Sequence, residues 1–445
     1  MAAGTSDLTQ GSPIKRSVFF SVPLILGTLF QQLYSFVDTM MVGRMIGTNA
    51  LAAVGATYSL GFLTLGFVQG TCVGFGIPLS HAFGAKEPEE YKRFFRGGSI
   101  LCALLAAVMT LLMVLLCSPI LHLMNTPEEI FADTRLYAMV IFFGLPASIL
   151  YNFCAGALRA AGDSRHPFYF LLFSTALNIV LDYLTIGPMH MGVLGAALST
   201  VISQLVSGLL NLYWLLCRTD LLRGLASVRP EGRHYRQLCM MGFPMGLEYS
   251  ISAIGAVVMQ GAINALGTAA VAGQTAGEKI RQMFTLPMES VGMGMATYVG
   301  QNRGAGRYDR IRSGIRAGLT IQWSYCIAAW VVIFFSKNAL STLVLGSGAP
   351  AELALSVRYL SVMSVLFFIH GALMSMRNTL QGMGYSAQAV FSGVGELAGR
   401  TLGGILSAVG LGFFGICIAN PLAWGFALIY CTIMTMHYLK QQSRS

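Results

Sequence analysis

The chain has 445 residues, of which 55% are hydrophobic and only 10% charged, with a mean hydropathy of +0.66. A soluble domain carries roughly 25% charged residues, so this composition excludes a soluble globular protein and describes a polytopic membrane one. The net charge of +10 would suit nucleic acid, but its distribution along the chain, set out below, excludes such a partner.

Apolar runs of at least about 17 residues, the length that crosses a bilayer, occur at 17–42, 50–77, 95–117, 136–158, 168–187, 191–216, 237–265, 270–300, 317–335, 355–380, 388–408 and 412–438. They predict an all-α protein with twelve transmembrane helices. Residues 1–16 read as a short polar tail. The run behind it is too long for the apolar part of a signal peptide and lacks a small-residue cleavage site, so it is expected to stay as the first span. That span carries Asp38 well inside it, and an acid at membrane depth costs several kcal/mol unless compensated. Gln31, Tyr34 and Asp38 fall at i, i+3 and i+7, one polar stripe on an apolar helix, and Pro23 before them removes a backbone donor and invites a kink. The stretch reads equally as part of an ion pathway or as one acid buried against a structural partner.

Twenty of the 28 Lys and Arg lie in the two tails and in every second loop, whereas only Arg44, Arg135, Lys337 and Arg358 lie in the others. This bias predicts both termini on the cytoplasmic side of a cell inner membrane and makes the basic loops topology signals. The nine cysteines form no CxxC pair, and the seven histidines are scattered singly. No disulfide framework, zinc site or cofactor is implied.

The sequence repeats itself. Pro23 and Pro244 are 221 positions apart, Gly47 and Gly267 are 220 apart, and so are Gly84 and Gly304. Leu158, Gly162 and Ser164 return as Leu380, Gly384 and Ser386 at 222, and Gly192 and Gly195 as Gly412 and Gly415 at 220. The expected organisation is an N-lobe over 17–217, a cytoplasmic linker over 218–236, a C-lobe over 237–438 and a tail over 439–445. With six spans per repeat both lobes have the same orientation, pseudo-symmetric around a central cavity. The five arginines of the linker serve either lipid headgroups or topology alone. No GxxxxGK[ST] motif is present, so ATP bound to this chain drives nothing.

In the fifth run Asn178 and Asp182 share a helix face at i, i+4, and Thr200 follows in the sixth. With Asp38 they offer two carboxylates, an amide carbonyl and a hydroxyl, hard oxygen ligands suited to Na⁺ or a proton. Two carboxylates in one low-dielectric site cannot both stay ionised without a cation or a proton. Spacing alone does not place the first and fifth spans side by side.

The opening stretch, the GA motifs at 84–85 and 304–305, the LRAAGDSRHP and LQGMGYS segments and the twelve-run layout resemble the multidrug and toxic compound extrusion (MATE) family over residues 15–440. Pro23, Tyr34, Asp38, Asn178, Asp182 and Thr200 are similar to the pattern of its DinF-like branch. The resemblance implies that Asp38, Asn178, Asp182 and Thr200 form an N-lobe cation site. The second lobe does not repeat that set: Met259, Arg400, Gly404 and Asn420 stand at the matching positions. Its acids differ: Glu396 is expected to pair with Arg400, and Glu278 to be neutralised locally by Lys279 and Arg281. Glu248 and Glu289 are the candidates for a cationic substrate's path, with Gln31 and Tyr34 from the first lobe.

The expected protein is therefore not an enzyme but a monomeric inner-membrane antiporter. It would exchange Na⁺ or H⁺ for an organic, cationic amphipathic compound by alternating access, with Pro23 as a conformational residue and lipid as its surroundings. A lipid-linked oligosaccharide flippase would need a strongly basic centre, whereas the central spans carry more acids than bases. A membrane-embedded transferase would need a nucleophile, base or metal constellation, and none is found.

Overall fold

The computed structural model describes residues 7–346 and 348–442; Arg444 and the outermost residues of both tails lie outside them. Among the described residues the chain is helical throughout, with no strand. The first half runs α1 (Pro13–Met45), α2 (Thr48–Ala56), α3 (Tyr58–Gly84), α4 (Pro88–Leu123), α5 (Glu128–Phe143), α6 (Leu145–Ala160), α7 (Arg165–Ile186) and α8 (Gly192–Tyr213). The second runs α9 (Gly232–Asn264), α10 (Thr268–Gly304), α11 (Tyr308–Leu345), α12 (Pro350–Gly382), α13 (Ser386–Leu406) and α14 (Phe413–Gln442). Every one of the twelve apolar runs falls in one helix or an interrupted pair.

Among the described residues eight helices are long and apolar enough to cross a membrane, or nine when the α5–α6 pair, bent by 43°, counts as one span. Helices α9, α10 and α13 fall outside that set, and they carry Glu248, then Glu278, Arg281 and Glu289, then Glu396 and Arg400. Apolar side chains face outward along the long helices, for example Leu104, Val108, Leu111 and Leu115 of α4 and Ile327, Val331 and Phe334 of α11. In water such stripes would aggregate; in hydrocarbon they are the required surface.

The repeat extends to backbone conformation. The turns before α7 and α13 both hold a glycine in the left-handed region, Gly162 at φ 82° and Gly384 at φ 81°, where a Cβ is strained. After α3 the same turn is made by Lys86 at φ 59°, and after α10 by Gly306 at φ 68°. The halves differ where α10 and α12 run unbroken. Their first-half counterparts stop at Thr57, whose hydroxyl bonds the Val54 carbonyl at 2.7 Å, and at Gly144, ahead of Pro146 at the start of α6. Proline cannot donate to the turn before it. Pro23 lies inside α1, which continues through it as a helix.

Residue contacts divide the chain into two compact units, one comprising Asp7 with Leu26–Gly246, the other Leu8–Ile25 with the chain from Leu247 onward. Of the three divisions, the one between Asp7 and Leu8 precedes the first helix and the other two fall inside helices, two residues after Pro23 and two after Pro244, so the 218–236 segment belongs wholly to the first unit. There it docks on α4: Arg96 donates to the Ala226 carbonyl at 3.0 Å, Lys92 to that of Arg223 at 3.0 Å, and Arg233 pairs with Glu90 at 3.0 Å.

Lipid is as apolar as leucine, so helix association in membranes depends on close van der Waals approach through small residues. In the first unit Gly70 and Gly74 of α3 meet Gly242 and Gly246 of α9. A Cβ on Gly74 would lie 2.5 Å from the Gly242 Cα, and one on Gly70 2.6 Å from the Met245 carbonyl. In the second unit Gly395, Gly399 and Gly403 of α13 lie on Ala427, Ala423 and Ala419 of α14, and a Cβ on Gly399 would come within 2.3 Å of the Ala423 nitrogen.

Candidate cation-coupling site

In the first unit α7 and α8 approach closely because α8 offers Gly195, where a Cβ would lie 2.8 Å from the Thr185 hydroxyl. Thr185 and Ser199 share a hydrogen bond of 3.1 Å across that contact, and Ser199 donates back to the Gly195 carbonyl at 2.9 Å. This fixes the α7 face that bears Asn178 and Asp182, 1% and 0% exposed, against the α8 face that bears Thr200. Helix α1 completes the arrangement: Tyr34 Oη lies 3.0 Å from Thr200 Oγ1, and Asp38 is 8% exposed.

The carboxylates of Asp38 and Asp182 face each other closely enough to interact directly. The sequence could not place α1 beside α7; the structure does. None of the interactions acting on either acid comes from a basic side chain. Asp38 Oδ1, both oxygens of Asp182 and both polar atoms of the Asn178 amide are buried without a hydrogen-bond partner among the described residues. An orphaned buried polar atom costs about 1–3 kcal/mol, and more when charged. Such a cluster of orphans on two facing acids fits a small hard cation or a proton between them. No group of three His, Cys, Asp or Glu placed to hold a metal ion is found among the described residues, and the donors gathered here, carboxylates, an amide and a hydroxyl, are hard oxygens and not the nitrogen and sulfur of a zinc-type centre.

Tyr137 of α5 was not singled out from the sequence. It lies within the electrostatic reach of both Asp38 and Asp182 and packs against the buried apolar group of Val42, Ala50, Ile186, Val193 and Ala196. Its signal was present in the repeat, since Tyr359 stands 222 positions later. Gln31 is exposed on α1, and Pro23 is half-buried in the part of α1 that belongs to the second unit. A cavity of about 380 Å³ lies elsewhere in the first unit, lined by Phe83, Lys86, Glu87, Tyr91 and Asp220 together with Asp7.

The second unit holds a different polar interior. Arg377 of α12 donates to Glu248 at 2.7 Å and also to Glu396, and Gln381 donates to the other Glu248 oxygen at 2.8 Å. Arg400 reaches Glu396 at 3.3 Å, the pairing expected from their i, i+4 spacing, but Arg377 is the hub and no local spacing pointed to it. Arg281 pairs with Glu278 at 2.5 Å, and the Tyr359 hydroxyl donates to the same carboxylate at 2.6 Å. Glu289 is exposed and enters none of these ion pairs, feeling Arg281 and Arg377 only through their field. His370 is buried, its two ring nitrogens without a hydrogen-bond partner among the described residues, and its ring centre lies 4.6 Å from that of Trp424.

Comparison with known proteins places this architecture. The probable multidrug resistance protein YoeA of Bacillus subtilis is 28% identical over 379 residues, covering 83% of this chain and 82% of its own. The multidrug export protein MepA of Staphylococcus saprophyticus is 24% identical over 391 residues, covering 86% of each. A solved outward-facing structure of a multidrug resistance MATE family transporter of the MOP superfamily has the same fold, with a TM-score of 0.94 over 100% of both chains at 21% identity. The family described as MatE matches residues 23–184 and again 244–396, stretches that open at Pro23 and at Pro244. On that match, which covers most of the multi-pass helical chain, the protein belongs to the MatE family of membrane transporters and is not an enzyme.

Proposed function

We propose that this protein is a multidrug exporter of the cell inner membrane, with both termini cytoplasmic, that exchanges Na⁺ or H⁺ for an organic compound by alternating access. The observation that carries the coupling is the facing pair Asp38 and Asp182: Asp38 Oδ1 and both Asp182 oxygens are buried without a hydrogen-bond partner among the described residues, and no basic side chain there acts on either acid. A cation or proton supplies the missing positive charge. Asn178 contributes its amide oxygen and Thr200, held by Tyr34, its hydroxyl. Binding there changes the packing of α1 against α7 and α8, and a ligand that favours one packing shifts the population towards it. Pro23 gives α1 a point at which its two halves respond independently, because proline leaves one helical hydrogen bond unmade.

The names of the relatives YoeA and MepA support a drug-like cargo. A cationic, amphipathic cargo suits the acids of the second unit: Glu289 is exposed and unpaired, whereas Glu248 must first give up Arg377 or Gln381. In the first unit, Gln31 and Tyr34 of α1 are the proposed contacts for such a cargo. The protein works as a monomer in lipid and without a cofactor. Proteoliposomes with Na⁺ and pH gradients imposed separately test the reading. Efflux of a cationic dye should follow one of the two gradients and vanish in Asp38→Asn and Asp182→Asn. Dye efflux that follows neither gradient, or that persists in both variants, overturns it.

A further inference from the structure

We propose that the second repeat holds its own cation in the position corresponding to the first repeat's coupling site, namely the guanidinium of Arg400, so that only one half of the protein exchanges an ion. The contrast with the first repeat rests on the coupling role just given; the resident cation rests on the geometry of the second unit alone.

The repeat offsets give the correspondence. The 222 offset carried by Gly162 and Gly384 puts Arg400 where α7 has Asn178 and Gly404 where it has Asp182. The 220 offset of Gly192 and Gly412 puts Asn420 at Thr200, and the 221 offset of Pro23 and Pro244 puts Met259 at Asp38 and Gly255 at Tyr34. Both acids have gone and a base has arrived.

The structure brings two of these positions, Asn420 and Gly255, to the base. Arg400 Nε donates to Asn420 Oδ1 at 3.1 Å, and Nη2 donates to Glu396 Oε2 at 3.3 Å. Asn420 in turn donates to the hydroxyl of Tyr359, the counterpart of Tyr137, at 3.4 Å. Room for the guanidinium comes from Gly255, where a Cβ would stand 2.5 Å from Arg400 Nη1. A tyrosine there, as at position 34, would occupy the same space. The amide at the position of Thr200 thus bonds a tethered cation here, the phenol at the position of Tyr137 bonds that amide, and Glu396, shared with Arg377, is the carboxylate partner of the cation. A guanidinium remains charged at any physiological pH, so this half needs neither Na⁺ nor a proton to neutralise its interior.

The test is thermal unfolding of the purified full-length protein in detergent, with and without Na⁺ and with and without ethylguanidinium at low millimolar concentration. Removing the first-repeat acids (Asp38→Asn with Asp182→Asn) should abolish the Na⁺-dependent rise in melting temperature. Arg400→Ala should melt lower than wild type and be raised selectively by ethylguanidinium, with ethylammonium as the weaker control. Arg400→Lys keeps the charge and should show little rescue. If Arg400→Ala does not fold, Arg400→Gln, closer in volume, takes its place with ethylguanidinium as the probe. A Na⁺ response that survives loss of both aspartates, or an Arg400 variant that no added cation stabilises more than it stabilises wild type, overturns the proposal. A wild-type protein without any Na⁺ or pH response would instead sink the coupling reading, and the guanidinium rescue would still decide this one.

Discussion

The sharpest consequence of the Asp38–Asp182 pair concerns Asp182→Asn. Two unit charges about 4 Å apart at an effective dielectric near 20 repel by about 4 kcal/mol, nearly three decades in an equilibrium constant. The unfolded chain separates the two residues and is free of that repulsion, so the fold must take up a cation or a proton or bear the cost. In wild type a Na⁺ concentration a hundredfold above its dissociation constant would stabilise by about 2.7 kcal/mol, worth roughly 5–10 °C in melting temperature for a unit of this size. Asp182→Asn removes one charge and nearly no volume. It should reduce the Na⁺ shift to near zero while leaving the cation-free protein at least as stable as wild type. Seven of the nine cysteines are buried and only Cys217 is exposed, so a thiol-reactive fluorophore reports the melt. A variant that keeps the full Na⁺ shift would show that the pair does not bind the ion.

Tyr34→Phe deletes the hydrogen bond to Thr200 and should weaken Na⁺ by about 0.5–1.5 kcal/mol, read as a several-fold rise in the Na⁺ needed for half-maximal stabilisation. Glu396→Gln leaves Arg377 and Arg400 sharing one fewer charge in a buried network and should cost about 3–5 kcal/mol, seen as a large fall in melting temperature that added Na⁺ does not reverse. Gly399→Leu would drive a side chain into the α14 backbone at Ala423 and should lower folded yield, with a cost of about 1–3 kcal/mol or more; a normal melt would refute the close contact. Lys86→Gly relieves a left-handed non-glycine residue, a strain of about 1–2 kcal/mol partly offset by the entropy of glycine, and should raise the melting temperature slightly.

The amino-acid sequence by itself determined the helical membrane architecture and the repeat. Hydrocarbon demands apolar side chains and internally bonded backbone, and both requirements are written into local composition. A turn in the left-handed region likewise demands a particular residue at one position, which is why Gly162 and Gly384 mark the repeat so clearly. The stripe of Asp38 and the i, i+4 pair of Asn178 and Asp182 were also legible, because each lies on one helix face. Tertiary structure alone decided what those faces meet. Asp38 faces Asp182 because α1 lies against α7 and α8, where Tyr34 bonds Thr200 and Gly27 meets Leu171, and Tyr137 acts on both acids from a fourth helix. In the second unit the sequence found the neighbours Glu396 and Arg400, four residues apart, but not Arg377, which joins Glu248 to Glu396 across three helices. Nor did it reveal the facing glycines of α3 and α9, or the bare position at Gly255 that admits the Arg400 guanidinium. Pairings between distant segments depend on backbone approach at a few tenths of an ångström, and the composition of any single segment carries no record of that distance.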